Sequence, residues 1–443
     1  MGRRRRRARL PEGEFEARID SMGHDGRGVA RIEGKATFIH GALPGESVLF
    51  RYTKRRRSHD EGQTVAVVSA SPDRVAPRCA HYGVCGGCSL QHLSPDAQIA
   101  AKQAILLENL RTIGKVQPAA VLPSIVNQSP WGYRRKARLG VKEVARKGKV
   151  LVGFRERGSS FVADLSQCHV LHPRVGELLP ALGALIESLS ISRRLPQIEM
   201  AMDDEQCVLI LRILDPLSGQ DEHLLSAFAA RHDIVFYLQP GGPDSVVPLD
   251  GGVDLQYRLP AYAISLHFEP SDFTQVNSDI NRKMIARALT LLDPQPDDRV
   301  LDLFCGIGNF TLPIARHCAQ VAGVEADPGL VARARANAER NGLSNSLFYT
   351  ADLYAELTSA PWMQQRFDKA VLDPPRSGAL AVLALLPKLG IRRIVYVSCS
   401  PGTLARDAGE LVGKHGYRLS RAGVMDMFPH TAHVESIALF ERD

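Results

Sequence analysis

The chain has 443 residues, 44% of them hydrophobic and 23% charged, with a formal net charge of +7; that length calls for roughly three domains. No apolar run reaches the roughly 20 residues of a membrane-spanning helix, and the arginines at 3–7 are not followed by the apolar stretch of a secretory signal. A cytoplasmic protein that binds no membrane is expected, with its eight cysteines better suited to metal or catalytic roles than to disulfides.

Charge is unevenly spread. Residues 1–70 carry 15 Lys/Arg against 9 Asp/Glu, and residues 131–158 carry 10 against 2. Two basic segments on an acidic remainder point to a phosphate-rich partner. Short alternating stretches at 15–19, 36–39, 47–52 and 64–69, separated by Gly23, Gly26, Gly28, Gly34 and Gly45, predict a small OB-like β-barrel over residues 1–72. Lys54 to Arg57 are placed in one of its loops. The runs Asp25-Gly26-Arg27-Gly28-Val29-Ala30 and Leu43-Pro44-Gly45-Glu46 resemble a TRAM domain, a small RNA-binding barrel.

Cys79, Cys85 and Cys88, with Cys168 further on, offer four thiolates among turn-forming glycines. Four sulfur ligands suit zinc or an iron–sulfur cluster, and spacing does not choose between them. A helix follows, opened by Ser94-Pro95-Asp96 and closed by Gly114, with Ile99, Leu106, Leu110 and Ile113 on one face. Residues 73–268 are assigned to a central α/β domain. Within it, Trp131 to Arg138 mixes aromatic residues with cations, a pattern suited to stacking on splayed bases while holding phosphates.

From 269 to 443 the pattern becomes regular. A helix over 280–292 precedes strands at 300–304, 321–325, 369–373 and 393–398, with helices between, and two more strands lie within 417–441. Alternating strand and helix predicts a doubly wound parallel sheet, a Rossmann-like fold. Asp302 to Asn309 is a strand running into a Gly306-x-Gly308 loop. Thr311 stands where a dinucleotide fingerprint would want glycine, which favours S-adenosylmethionine over NAD. Glu325, ending the next strand, is placed for ribose hydroxyls, and Asp352, after the strand beyond it, for adenine.

Cys399 follows the run Ile394 to Ser398, at the edge where such sheets bind ligands. A thiolate adding to carbon 6 of uracil would make carbon 5 nucleophilic. Asp373, in Asp373-Pro374-Pro375-Arg376, is placed to hold the pyrimidine edge. Arg376 stands where amino-group methyltransferases carry an aromatic ring, which speaks against that chemistry. His430, His433 and Glu435 are candidate bases, and spacing leaves His433 and Glu435 level.

These residues, together with Phe273-Thr274-Gln275-Val276-Asn277 and His433-Val434-Glu435, resemble the RNA uridine-C5-methyltransferase family over nearly the whole chain. The resemblance implies that Gln275, Phe304, Asn309, Glu325, Asp352 and Asp373 contact cofactor or target base. It makes Cys399 the nucleophile and Glu435 the base. It also implies a [4Fe–4S] cluster on Cys79, Cys85, Cys88 and Cys168. A barrel combined with that cluster resembles the members acting on 23S ribosomal RNA, in a single-stranded or loop region, whereas the tRNA member is expected to lack both. A monomer is expected. The same chemistry on another ribosomal RNA or tRNA uridine is the alternative within the class, and a non-catalytic iron–sulfur RNA-binding protein of the same fold is the alternative of another class.

Overall fold

A computed structural model describes residues 10–355 and 360–443; the arginine run at 3–7 lies outside them. The chain divides into two compact units, residues 1–102 with 429–433, and residues 103–428 with 434–443.

The first unit contains one six-stranded sheet. Its strands are Phe15–Arg18, Ser21–Met22, Gly28–Ile32, Lys35–His40, Ser47–Arg55 and His59–Ser69. Alternate residues turn inward, so Ala17, Ile19, Ala30, Ile39, Val48 and Phe50 form a small apolar core. Gly62 is required there, because a Cβ would lie 2.5 Å from the Phe50 ring. Lys54 and Arg55 end a strand, and only Arg56 and Arg57 reach the turn. Glu46 is fully buried: it accepts from the Leu43 and Ser71 amides at 2.8 and 3.1 Å and from Arg74 Nε at 2.5 Å. The Leu43–Glu46 motif is thus a clamp on the segment leaving the barrel.

The second unit holds a six-stranded and an eight-stranded sheet, besides the two-stranded pair Leu255–Leu259 and Ile264–Phe268. The central one runs in the order Val247–Pro248, Val235–Gln239, Cys207–Arg212, Gln197–Met202, Lys136–Val144, Lys149–Gly153. The other has eight strands: Ser346–Thr350, Gln320–Glu325, Arg299–Leu303, Lys369–Leu372, Arg393–Ser398, Glu435–Glu441, Arg418–Met425 and Ala120–Val121. The first five are parallel, and Glu435–Glu441 runs antiparallel to both of its neighbours. Val300, Val371, Val395 and Val397 join a core with Ile280, Met284 and Ile285 of helix Ser278–Leu292. The alternate residues Leu301, Leu303, Ala370, Leu372, Ile394 and Tyr396 are buried as well, so both faces of this sheet are covered, as the unbroken apolar runs predict. Residues of the central sheet, Ala201, Val208 and Ile210, belong to the same core.

Helix Pro95–Asn109 begins where the sequence placed it, and its last turn differs. Residues Leu110–Gly114 form a π-helical turn, which adds a residue and rotates Ile113 out to 51% exposure. Gly114 faces inward in its place, against helix Pro401–His415, where a Cβ would sit 2.4 Å from the Ala405 carbonyl. The chain then adds the edge strand Ala120–Val121 to the eight-stranded sheet.

Candidate active site

Parallel strands deliver their carboxyl ends to one edge, and the sequence-derived residues arrive there in order: Phe304 to Asn309 after one strand, Glu325 ending the next, then Asp352, Asp373 and Cys399. Phe304 has φ +66°, in the left-handed region a bulky residue rarely occupies. Its amide and that of Cys305 both donate to the Val324 carbonyl, so the loop turns sharply off the sheet. Space is open beside Gly306, where no atom lies within 4 Å of a Cβ position. Glu325 borders that space, held by the amides of Gly306 at 3.2 Å and Ala326 at 2.7 Å. The Phe304 and Tyr354 rings lie 5.8 Å apart. Tyr354 donates its amide to exposed Asp352 at 2.9 Å, and its hydroxyl bonds the Gly378 carbonyl at 2.8 Å, linking two loops of the edge.

Asn309 accepts from the Tyr257 hydroxyl at 2.8 Å and exchanges hydrogen bonds with Asn281 at 3.0 and 3.1 Å. Tyr257 and Asn281 line one cleft with Gln275, which brings Gln275 to the same neighbourhood. Asn281 and Tyr257 escaped the sequence reading. The available signal for Asn281 was its spacing of four from Asn277, two polar residues on the buried face of one helix. Beneath the loop, buried Asp302 accepts from Thr311 Oγ1 at 2.5 Å, while its Oδ1 has no hydrogen-bond partner among the described residues. Burial, with Asp373 and Glu325 nearby, pushes the Asp302 carboxyl up to about 7. Open space at a glycine, a tethered carboxylate and an orphaned buried oxygen fit a polar, cationic cofactor such as S-adenosylmethionine.

Cys399 and Glu435 lie at the end of the central ladder. The last pair of strands Arg393–Ser398 and Glu435–Glu441 is Ser398 with Ser436, and Cys399 and Glu435 are next to it in the chain. Burial raises the Cys399 thiol above its ordinary value, the carboxylates of Glu435 and Asp373 raise it further, and the Arg376 guanidinium opposes them. Burial and Asp373 likewise push Glu435, 3% exposed, well above the carboxylate range, again with Arg376 opposing. Asp373 itself is pushed up by burial to about 7. The site thus gathers a thiol, two carboxyl groups of raised pKa and one guanidinium. In the first unit the His430 carbonyl accepts the Ser89 and Leu90 amides, and its amide donates to Gln98 Oε1 at 2.8 Å. His433 is exposed. Of the three sequence-derived candidates, Glu435 is among the groups that raise the Cys399 thiol.

The basic run Arg134–Lys136 serves the fold more than a surface. Arg135 pairs with Asp204 at 3.3 Å, and Lys136 donates to the Pro270 carbonyl at 3.0 Å, burial lowering its pKa to about 8. The Arg135 amide bonds the Val276 carbonyl at 2.9 Å, which anchors the Phe273–Asn277 motif. Cys79, Cys85, Cys88 and Cys168 are all half-exposed, whereas Cys207, Cys305 and Cys318 are buried. The Gly87 amide donates to Cys85 Sγ at 3.4 Å. Among the described residues, no three His, Cys, Asp or Glu side chains are gathered as a metal site, and no helix is long and apolar enough to cross a membrane.

Comparison with known proteins is consistent with this geometry. Residues 256–443 match the family profile of tRNA (Uracil-5-)-methyltransferase, and residues 13–54 match that of the TRAM domain. A protein of Xanthomonas campestris pv. campestris named 23S rRNA (uracil(1939)-C(5))-methyltransferase RlmD is 57% identical over 442 residues, covering 99% of both chains. Its namesake from Alkalilimnicola ehrlichii is 56% identical over 445 residues, covering 100% of this chain and 99% of the relative. Among solved structures, the Pyrococcus abyssi tRNA (uracil-54, C5)-methyltransferase in complex with S-adenosyl-L-homocysteine superposes with a TM-score of 0.74 at 22% identity, over 96% of this chain and 100% of its own. That coverage leaves too little unmatched to omit the barrel. The barrel therefore does not by itself separate ribosomal RNA enzymes from tRNA enzymes, contrary to the expectation from sequence.

Proposed function

The chain belongs to the family of 23S rRNA (uracil(1939)-C(5))-methyltransferases, and on that premise we propose that it methylates carbon 5 of the corresponding uridine, with Cys399 as nucleophile and Glu435 as base. The observation that carries the residue roles is the electrostatic effect of Glu435 on the Cys399 thiol, the two residues being next in the chain to the last pair, Ser398 and Ser436, of one antiparallel ladder, inside a pocket that raises both pKa values.

When bound, S-adenosylmethionine supplies an electrophilic methyl group. Gln275, Phe304, Asn309, Glu325 and Asp352 hold the cofactor, with Glu325 at the ribose. Asp373 accepts from the pyrimidine N3–H. Cys399 adds as a thiolate to carbon 6, forming a carbon–sulfur bond and moving the double-bond electrons toward carbon 5 and the 4-oxygen. With the cofactor bound, carbon 5 would take the methyl group, the sulfonium–methyl bond breaking and its electron pair leaving on the thioether sulfur of S-adenosylhomocysteine. Glu435 removes the proton left on carbon 5, the electron pair restores the ring double bond, and the carbon–sulfur bond breaks to release the thiolate. A carboxylate whose pKa is raised is the stronger base for that proton. Arg376 offsets the negative charge that builds up around the thiol.

Cys79, Cys85, Cys88 and Cys168 are proposed as ligands of a [4Fe–4S] cluster with a structural or RNA-positioning role. Supporting this are the resemblance to the family, the half-exposure of all four thiols, and an N–H···S bond of the kind that stabilises a thiolate. Protein purified without oxygen should carry roughly four irons and four labile sulfides per chain; zinc alone would overturn the assignment. The division into 1–72, 73–268 and 269–443, a monomeric state, a cytoplasmic location and a single-stranded or loop RNA target are proposed on the same family premise. A flipped or unpaired base is what Cys399 requires.

The experiment is incubation with methyl-labelled S-adenosylmethionine and unmodified 23S ribosomal RNA or tRNA, followed by mapping of the labelled nucleoside. 5-Methyluridine at one 23S position, absent with Cys399→Ala, is expected. The same nucleoside in tRNA would move the target and keep the chemistry. Label in adenosine or guanosine, or full activity of Cys399→Ala, would remove the proposed mechanism.

A further inference from the structure

Strand Lys149–Gly153 does not end the central sheet's basic edge. The chain continues as an ordered hairpin: Arg155 bridges Val162, the Glu156 amide donates to the Phe161 carbonyl at 2.8 Å, and the Ala163 amide donates to the Phe154 carbonyl at 2.9 Å. Gly158, with φ +67°, makes the tip. The hairpin folds back over the sheet beside Gly140, where a Cβ would lie 2.9 Å from Val162 Cγ2. Its root is tied toward the catalytic motif. The Arg134 guanidinium lies 5.7 Å from the Phe154 ring centre, and Arg134 bridges Asn277.

At the end of this scaffold Phe161 is 71% exposed, more than any other large hydrophobic residue among those described. Its backbone is fixed, its amide donating to Ser159 Oγ at 2.9 Å. Exposed cations lie in the hairpin and on the two strands that precede it. Arg155 is exposed in the hairpin itself. Lys142 is exposed on the outward face of strand Lys136–Val144, two residues from Gly140, and Arg146 is exposed in the turn that follows. An exposed aromatic ring on an ordered hairpin, next in the chain to strands that carry exposed cations, matches the chemistry of an unpaired base with its phosphates.

We propose that the hairpin Phe154–Val162 is a nucleic-acid contact outside the methyl-transfer site, in which Phe161 stacks on an unpaired base of the substrate RNA while Lys142, Arg146 and Arg155 hold flanking phosphates. The proposal rests on the reading of the chain as an RNA methyltransferase, and it assigns a substrate contact that the transfer chemistry does not use. A preformed hairpin orders little on binding, so the ring's area is available for affinity.

The test is binding of full-length protein to a fluorescent 23S fragment carrying the target uridine, alongside methyl transfer at saturating RNA. Phe161→Ala should weaken binding about 5- to 100-fold, leave kcat unchanged and leave the melting temperature unchanged. Phe161→Tyr, which keeps a stacking face, should bind as the parent does. Lys142→Ala with Arg155→Ala should flatten the salt dependence, lowering the slope of log K against log salt by roughly 1–2. Unchanged binding by Phe161→Ala, or loss that Phe161→Tyr shares, would overturn the proposal. If the parent protein binds and Phe161→Ala does not, but neither transfers methyl, the methyltransferase reading fails and the hairpin contact stands. If both transfer and bind alike, the hairpin contact fails alone.

Discussion

Ser436 donates its hydroxyl to the Ser398 carbonyl, 3.3 Å away, across the rung that pairs these two serines. The ladder ends at that pair, and just beyond it the charge of Glu435 acts on the Cys399 thiol. Cys399→Ala should abolish methyl transfer, because the other thiol that the described strands bring to this edge, Cys305, is buried. Glu435→Gln keeps the shape and removes the base. It should slow turnover by roughly 10²–10⁴-fold while RNA remains covalently attached to the protein, visible as a shifted band on a denaturing gel. Turnover without such a band would assign the base elsewhere.

The thiol's surroundings predict its reactivity in the enzyme without RNA. Burial and two carboxylates raise the Cys399 pKa, and Arg376 lowers it. Alkylation by iodoacetamide should therefore rise with pH through a midpoint above that of an ordinary thiol. Asp373→Asn removes a negative charge, so the midpoint should fall and alkylation at pH 8 should quicken. Arg376→Gln should move the midpoint the other way. A mass-spectrometric count of modified Cys399 against time gives both signs.

Asp373 also bears on stability. Its pKa is raised from 3.8 to about 7 on folding, so the folded chain binds the extra proton and stability declines as pH rises from about 4 through 7. Replacing it with asparagine removes that decline. Asp373→Asn should gain on the order of 1–3 kcal/mol over the parent at pH 8 and nothing near pH 4. Thermal melts across that range decide it.

What the chain reveals unaided follows from how local each signal is. Strands buried on both faces read as apolar runs, and a residue just past such a run lies at the ligand edge, which made Phe304, Glu325, Asp373 and Cys399 legible one by one. The π-helical turn at Leu110–Gly114 was not, because Gly114 read as a stop signal while it serves as a contact with Ala405. Nor was the trio Asn309, Asn281 and Tyr257, whose hydrogen bonds join residues up to 52 positions apart. The cations at 134–136 read as an open RNA face, since sequence carries no sign that Asp204 and the Pro270 carbonyl lie beside them. Periodicity reports which face is buried, and pairing between distant elements leaves no period.

The loop carrying Asp373 and Arg376 is pinned from behind by a residue no motif indicated. Buried Asp407 accepts from the Ala379 amide and the Tyr396 hydroxyl, each at 2.7 Å, and from Arg406 Nε at 2.8 Å; Arg406 in turn donates to the Ser377 carbonyl at 2.8 Å. Gly378 turns over this group at φ +81°, with a would-be Cβ 2.6 Å from both Asp407 Oδ2 and Arg406 Nη2. Gly378→Ala should cost about 1–3 kcal/mol of stability. Asp407→Asn, which can still accept but loses the ion pair, should lower kcat more than it raises KM for RNA, because the loop orients the reacting pocket. Equal melting temperature with reduced kcat would separate this orientation from a general loss of fold.

Glu46 offers the opposite sign to Asp373. Burial works against its charge, yet Arg74 and the amides of Leu43 and Ser71 hold its pKa below the ordinary 4.5. The unfolded chain therefore binds the proton first, so the stabilisation is present above about pH 4.5 and is lost as pH falls through the folded value. Glu46→Ala leaves two amides and a guanidinium facing a void and should cost roughly 3–5 kcal/mol at pH 7. Glu46→Gln keeps one acceptor and should cost less. Because the clamp joins the barrel's end to residues 71–74, proteolysis near Ser71 should accelerate in Glu46→Ala at pH 7. In the parent protein it should accelerate only under acid conditions; equal cleavage of parent and variant at pH 7 would show that the clamp does not hold this segment.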